Sequence, residues 1–405
     1  MNRRQFLGRA LLAWSGARLL HPAVSGAVEA ARRGRRSAGR MPAHGASPPS
    51  APAAGTPGAA SRAAVQARCR DGLEVARKHI LENCTDLAFP NGAIHGVRAL
   101  GRDCPLGQGD PFRILMENYL EESAVGDRTF LEVSVAREGH RNAMLKTLLE
   151  KGCEPELEFQ LHGRTYHFRD YIESARQLAT YDLRSVPIDE HSWTIIALTR
   201  VIRPSAARWT NAFGHEVDLQ RMIDDTSEAL ASDTELVRRV DLASRQPLPR
   251  DCPALGRACG GLHMLYALAA ALSSGYATPA RRQAFAAHMR THVRRLVYDM
   301  RVTDDVEAEN LKLAGKEAAQ VVAFDSRLKF LGHTFEVIGL VDRHDLYAFT
   351  PEERRRVDAA RDTLCGVLAG SRGMRFARYK PDLALYDSMA GDVCHAYNGL
   401  MMSPA

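Results

Sequence analysis

The sequence runs to 405 residues, 45% hydrophobic and 25% charged, with a formal charge of +6, long enough for two or three average domains or one large repeat domain. Residues 1–70 carry twelve arginines against one acidic residue, Glu29, so the remainder is net acidic and lacks the basic, aromatic-interleaved stripe that a nucleic-acid partner needs. Eight cysteines over this length are too sparse for a disulfide-stapled scaffold.

The chain opens on Asn2-Arg3-Arg4-Gln5-Phe6-Leu7-Gly8, followed by a short apolar run through Leu11, Leu12, Ala13 and Trp14. This resembles the twin-arginine export signal, and Ala23-Val24-Ser25 offers small residues for cleavage, so residues 1–27 are assigned to such a leader. The resemblance implies passage through the twin-arginine export machinery to a periplasmic or otherwise exported location. The apolar run is too short to span a bilayer, Arg18 interrupts it, and no later run of about eighteen apolar residues follows, so no transmembrane segment is expected. Residues 28–66 are mostly Ala, Gly, Pro, Ser and Arg, with hardly an aliphatic residue to bury. Such a stretch cannot offset its ordering entropy and is expected to be a disordered linker.

From 67 to 405, apolar spacing predicts one all-α domain. A short β-hairpin is expected near 157–168, where Glu158-Phe159-Gln160-Leu161 and Thr165-Tyr166-His167-Phe168 flank His162-Gly163-Arg164. The helices are of two kinds. Amphipathic ones run from Val217 to Ala231, from Thr278-Pro279 towards Met300, and from Thr350-Pro351-Glu352-Glu353. The last combines a capping residue, a proline at the first helical position and a first-turn carboxylate, then lines Val357, Ala360, Leu364 and Val367 along one face. Others, such as Thr194 to Leu198 and Met264 to Leu272, are apolar on nearly every side and must be buried on every side. An inner ring of helices wrapped by an outer ring requires this alternation.

The buried helices expose a repeat. Glu138-Gly139-His140, Asp189-Glu190-His191-Ser192-Trp193, Cys259-Gly260-Gly261-Leu262-His263, Phe330-Leu331-Gly332-His333 and Val393-Cys394-His395 each place a histidine near the start of an apolar helix, at intervals of 51, 72, 70 and 62 residues. Gly260-Gly261-Leu262-His263 and Cys394-His395-Ala396-Tyr397-Asn398-Gly399-Leu400 resemble the helix starts of the α/α toroid superfamily, which includes terpenoid cyclases, protein prenyltransferases and lanthionine cyclases. The resemblance implies an α/α toroid of about five to six helical hairpins over roughly residues 70 to 405.

With inner helices running the same way, His140, His191, His263, His333 and His395 would ring one end of a central cavity, with Tyr397 beside them and Tyr266, Asn398, Glu190 and Glu336 nearby. Imidazoles there serve as acid or base near neutral pH, or hold an anionic group. One expectation is therefore lyase or hydrolase action on a small-molecule, glycan or modified-peptide ligand in the cavity. A non-catalytic binding or scaffold protein, whose histidines only cap and bridge helices, is the alternative. A third reading follows from the lanthionine cyclases, in which a cysteine on one inner helix and a Cys-His pair on another bind zinc. It carries over to Cys259, Cys394 and His395, as an open site. This chain departs from that family in lacking a Trp-Cys pair before Gly260 and a glycine straight after His395. A buried thiol pair or a Cys252–Cys259 disulfide would use the same cysteines differently. Asp224-Asp225-Thr226-Ser227-Glu228 superficially matches the magnesium-binding motif of class I terpene synthases, but it falls on an amphipathic helix and reads as a solvated face. Neither a Gly-x-Ser-x-Gly elbow nor a Walker loop occurs.

Overall fold

The computed structural model describes residues 59–239, 253–314 and 316–403; the expected leader, most of the linker and Cys252 lie outside them. The described chain is mostly α-helical, with three small antiparallel strand pairs. In chain order it forms α1 (Ala59–Asn83), α2 (Pro90–Leu100), α3 (Pro111–Tyr119), a hairpin of β1 (Glu121–Val125) and β2 (Arg128–Glu132), α4 (Val135–Glu138) and α5 (Ala143–Glu150). A second hairpin, β3 (Glu158–Leu161) and β4 (Arg164–His167), leads to α6 (Phe168–Leu178) and α7 (Ser192–Val201). A third, β5 (Arg208–Thr210) and β6 (Glu216–Asp218), precedes α8 (Leu219–Asp233), α9 (Glu235–Arg239), α10 (Leu262–Ser273), α11 (Pro279–Ala314), α12 (Lys316–Arg343), α13 (Pro351–Gly370) and α14 (Leu383–Met402). No described helix is long and apolar enough to cross a membrane.

Local sequence accounts for most of these elements. The capping box at Thr350 is formed: Thr350 N donates to Glu353 Oε2 at 2.9 Å, and Glu353 N donates to Thr350 Oγ1 at 3.2 Å. Val357, Ala360 and Leu364 below it are fully buried. Every residue of α10 from Leu262 to Leu272 is buried, as its unbroken apolar run demands. Helix α1 starts at Ala59, inside the stretch expected to be linker, because Ala59-Ala60-Ser61-Arg62-Ala63-Ala64 is rich in the best helix former. The hairpin expected near 157–168 is present, with Phe159 and Leu161 turned inward. The other two hairpins were not anticipated, since their five- and three-residue strands are too short or too polar to carry an alternating pattern.

The helices pack in two sets. Helix α2 lies against α5, α5 against α7, α7 against α10, α10 against α12 and α12 against α14, and α14 returns to α2. Six helices taken in chain order therefore close on themselves. Outside them, α1 lies on α13 and α14, α8 on α7 and α10, and α11 on α12 and α13. A disulfide between Cys69 of α1 and Cys365 of α13 joins the first and last of these outer helices, 296 residues apart. Helices α12 and α14 cross closely. A Cβ on Gly332 would sit 2.8 Å from Ala396 N, and one on Gly399 would sit 2.8 Å from Glu336 N. Only glycine permits backbones this close, and the crossing sets His333 beside His395.

Candidate functional site

The inner helices turn a layer of imidazoles towards one another. Ring centroids of His333 and His395 lie 3.8 Å apart, those of His263 and His333 4.4 Å, those of His140 and His263 5.9 Å, and those of His95 and His395 4.9 Å. Trp193 of α7 closes the gap, stacked on His140 at 3.6 Å and tilted against His263 at 4.3 Å. Of the five repeat histidines, four thus come together. His191 does not: its ring meets Tyr181 edge-on at 5.0 Å, and Trp193, two residues further on, takes its place in the layer. The helix-start position expected for all five fails for His333 and His395, which lie deep within α12 and α14. Both helices begin with more than a turn of mixed residues before the apolar segment that marked them in sequence.

One helical turn below the histidines lies a second layer, because residues three apart share a helix face. Arg98 follows His95, Tyr266 follows His263, Glu336 follows His333 and Asn398 follows His395 at that spacing. Arg98 is the hub: its Nε donates to Glu336 Oε1 at 2.8 Å and its Nη1 to Glu150 Oε2 at 2.6 Å. Tyr266 Oη donates to Glu150 Oε1 at 2.8 Å, and Asn398 Nδ2 donates to Glu336 Oε1 at 2.7 Å. Lys146 lies over the Tyr266 ring, 5.0 Å from its centroid. Arg98 Nη2 is buried without a hydrogen-bond partner among the described residues. Histidines touch histidines and the residues three further on touch one another, so α2, α10, α12 and α14 present their faces in the same sense.

The electrostatics follow from this packing. Burial raises the cost of ionising Glu150, but Arg98, Lys146 and Arg200 outweigh it and hold the carboxyl at about 2. Burial opposes ionisation of Glu336 likewise, and Arg98 and then His395 hold it well below the usual carboxylate range. Burial, with Arg98 next, lowers Lys146 to about 8. Burial also lowers three of the imidazoles, His95 to about 4 and His263 and His395 well below the ordinary histidine value, so these three are neutral near pH 7.

Known proteins offer no guide to this arrangement. No family model matches the chain, and neither a curated protein nor a solved structure matches it.

Two histidines are held by carboxylates. His395 Nδ1 lies 2.8 Å from Glu336 Oε2, and His140 Nδ1 lies 2.9 Å from Glu190 Oε2. The first dyad is buried; the second is about one third exposed on both side chains, so the layer reaches solvent at its His140 end. Cys259, half-buried, lies at the same layer with its Sγ 3.2 Å from His263 Nε2. Burial pushes its thiol up to about 12.

The trio Cys259, Cys394 and His395 is not gathered. Neighbouring residues on a helix point about 100° apart, and Cys394 turns away from His395 to place its Sγ 3.6 Å from Cys84 Sγ. Among the described residues, the groups whose ligand atoms lie within 4.8 Å of one another are Cys259, His263 and His333, and His333, Glu336 and His395. Cys259 and Cys394 are both free thiols. Tyr397, two positions past His395, packs into the apolar core instead. Asp224 pairs with Arg281 at 2.7 Å and Asp225 accepts from Tyr181 Oη at 2.8 Å, so the aspartate-rich stretch is engaged by its own neighbours. Sequence reasoning missed His95, Arg98, Lys146, Glu150 and the part played by Trp193. His95 was legible as a sixth repeat histidine, 45 residues before His140 in Ala93-Ile94-His95-Gly96, and the polar residue three after His263, His333 and His395 would have added Arg98.

Proposed function

We propose that this chain is an exported α/α toroid of six helical hairpins, whose polar centre performs proton-transfer chemistry, as a lyase or hydrolase, on a polar ligand such as a glycan or modified peptide. The toroid reading is supported by the cyclic contacts of α2, α5, α7, α10, α12 and α14, and export by the Cys69–Cys365 disulfide, a bond that persists in oxidising compartments. The observation that carries the chemistry is the pair of histidine–carboxylate dyads meeting in one imidazole layer. Glu190 accepts from His140 Nδ1–H and fixes the tautomer whose Nε2 can take a proton; Glu336 does the same for His395. One dyad at the open end and one at depth give a base and an acid for the two faces of a bound group. The unpaired Arg98 N–H below them suits a carbonyl or carboxylate oxygen of that group. A scaffold has no use for this arrangement, because dry charges cost several kcal/mol each and an apolar centre of the same volume would be at least as stable.

The test is turnover by the purified folded chain of a panel of uronate-containing oligosaccharides and thioether-containing peptides, read by mass spectrometry. His140→Gln and Glu190→Gln are expected to lower turnover by about 10²-fold or more while leaving helix content unchanged. Absence of both turnover and ligand-induced thermal stabilisation across the panel favours the scaffold. Export is tested by Arg3→Lys with Arg4→Lys, which is expected to retain the chain in the cytoplasm.

A further inference from the structure

We infer that Cys259, His263 and His333 bind one zinc ion at the solvent-facing side of the imidazole layer. This goes beyond the catalytic reading and does not depend on it, since a non-catalytic toroid would hold the ion equally well.

The ligand atoms of the three residues lie within 4.8 Å of one another. The 3.2 Å between Cys259 Sγ and His263 Nε2 is close to the roughly 3.5 Å that two ligands at zinc–sulfur and zinc–nitrogen bond lengths subtend in a tetrahedron. Thiolate with two imidazoles and no carboxylate is a donor set that suits zinc over magnesium or calcium. The backbone around Cys259 is built for this placement. Cys259 itself is left-handed (φ 48°, ψ 33°), a conformation costly for a residue with a Cβ, and Gly260 and Gly261 follow at φ 65° and 83°. Arg295 Nη1 locks the turn by donating to Gly260 O at 2.8 Å, so tightly that a Cβ on Gly260 would meet Arg295 Nη2 at 2.6 Å. The turn delivers the thiol beside His263, four residues on, across the first turn of α10. Strain held at one cysteine by two glycines and a buried arginine is what a fixed ligand position requires.

The alternative trio of His333, Glu336 and His395 is a poorer first shell because Glu336 is already engaged. Its Oε1 accepts from Arg98 and Asn398, and its Oε2 accepts from His395 at 2.8 Å and lies 3.6 Å from His333 Nδ1. Glu336 thus stands behind His333 on its Nδ1 side, as carboxylates behind ligating histidines do, and leaves Nε2, 3.9 Å from Asp392 Oδ1, as the nitrogen to bind the ion. On binding, the Cys259 S–H bond is replaced by a sulfur–zinc bond and the proton passes to solvent, while both imidazoles bind as neutral donors. Three protein donors leave a fourth tetrahedral position for a water or another ligand.

Elemental analysis of the full-length chain, equilibrated with stoichiometric zinc and dialysed, is expected to find close to one zinc per chain. Cobalt in its place should give a thiolate-to-cobalt charge-transfer band. Cys259→Ser and His263→Gln should each lower retained metal at least tenfold; Cys259→Asp should keep cobalt and lose only the charge-transfer band, which separates ligation from folding. Cys394→Ser should retain both. No retained zinc in the wild type, or undiminished binding and an intact band in Cys259→Asp, would overturn the assignment. So would loss of metal in Cys394→Ser with Cys259→Ser unaffected. Turnover is not a readout here, so a failure of the proton-transfer reading leaves these outcomes intact and a failure of zinc binding leaves that reading standing.

Discussion

The two layers at the centre of the ring differ in what holds them. The upper layer is made of rings, His95, His140, His263, His333 and His395 with Trp193, which touch by stacking and edge contacts, each worth about a kcal/mol. The lower layer is made of charges, Arg98, Glu150, Glu336 and Lys146, dry and mutually compensated. Stacked rings tolerate a missing neighbour, whereas a buried charge does not. The lower layer therefore fixes the geometry of the ring, and the upper layer, reaching solvent at His140, is left free to meet a ligand.

Breaking the lower layer at its hub should have the largest effect. Arg98→Met strands Glu150 and Glu336 without their shared partner and is expected to cost about 3–5 kcal/mol in urea unfolding; a loss below about 1 kcal/mol would mean that the layer is not dry. Glu150→Gln sharpens the comparison through pH. The Glu150 carboxyl is held at about 2, below its unfolded value near 4.5, so its stabilisation is complete above about pH 4.5 and disappears as pH falls through 2. The variant is expected to be roughly 3 kcal/mol less stable at pH 7, with the difference shrinking between pH 4.5 and 2. Asn398→Ala removes one donor to Glu336 and the acceptor for Lys151 Nζ, and should cost about 1–2 kcal/mol by the same measurement. At the other extreme, His140→Ala in the upper layer should change stability by less than about 1 kcal/mol; a loss as large as that of Arg98→Met would erase the distinction between the layers.

How much of this was readable beforehand depends on the length of the signal. The mostly helical character, the capping box of α13 and the buried α10 follow from patterns a dozen or more residues long, and local physics decides them. The repeat histidines were legible as a periodic residue, and four of them do meet. The lower layer is half visible in the sequence: Tyr266, Glu336 and Asn398 each stand three residues after a repeat histidine, whereas nothing sets Lys146 or Glu150 apart from ordinary helix charges. Nothing local tells a charge that faces water from one that faces three other helices; that is settled only when the ring closes. The misplaced ligand, Cys394, has the same origin. The resemblance to lanthionine cyclases implies an ion shared by Cys394 and His395, but one step along a helix turns a side chain by about 100°, here towards Cys84. The Cys69–Cys365 bond, spanning 296 residues, left no local trace at all.

That bond and the return of α14 to α2 place a seam between the two ends of the domain, and a seam has consequences for synthesis. Among the described helices α1 is made first, yet its principal neighbours, α13 and α14, lie about 300 residues away. At about 5–20 residues per second, roughly 15 to 60 s pass before they exist. Throughout that time the apolar face of α1, with Val75, Ala76 and Ile80, stands uncovered on a nascent chain whose ring has no closed intermediate. Helix α1 is therefore left without its main partners until α13 and α14 have been made, and α14, which touches both α1 and α2, joins the two ends of the described fold.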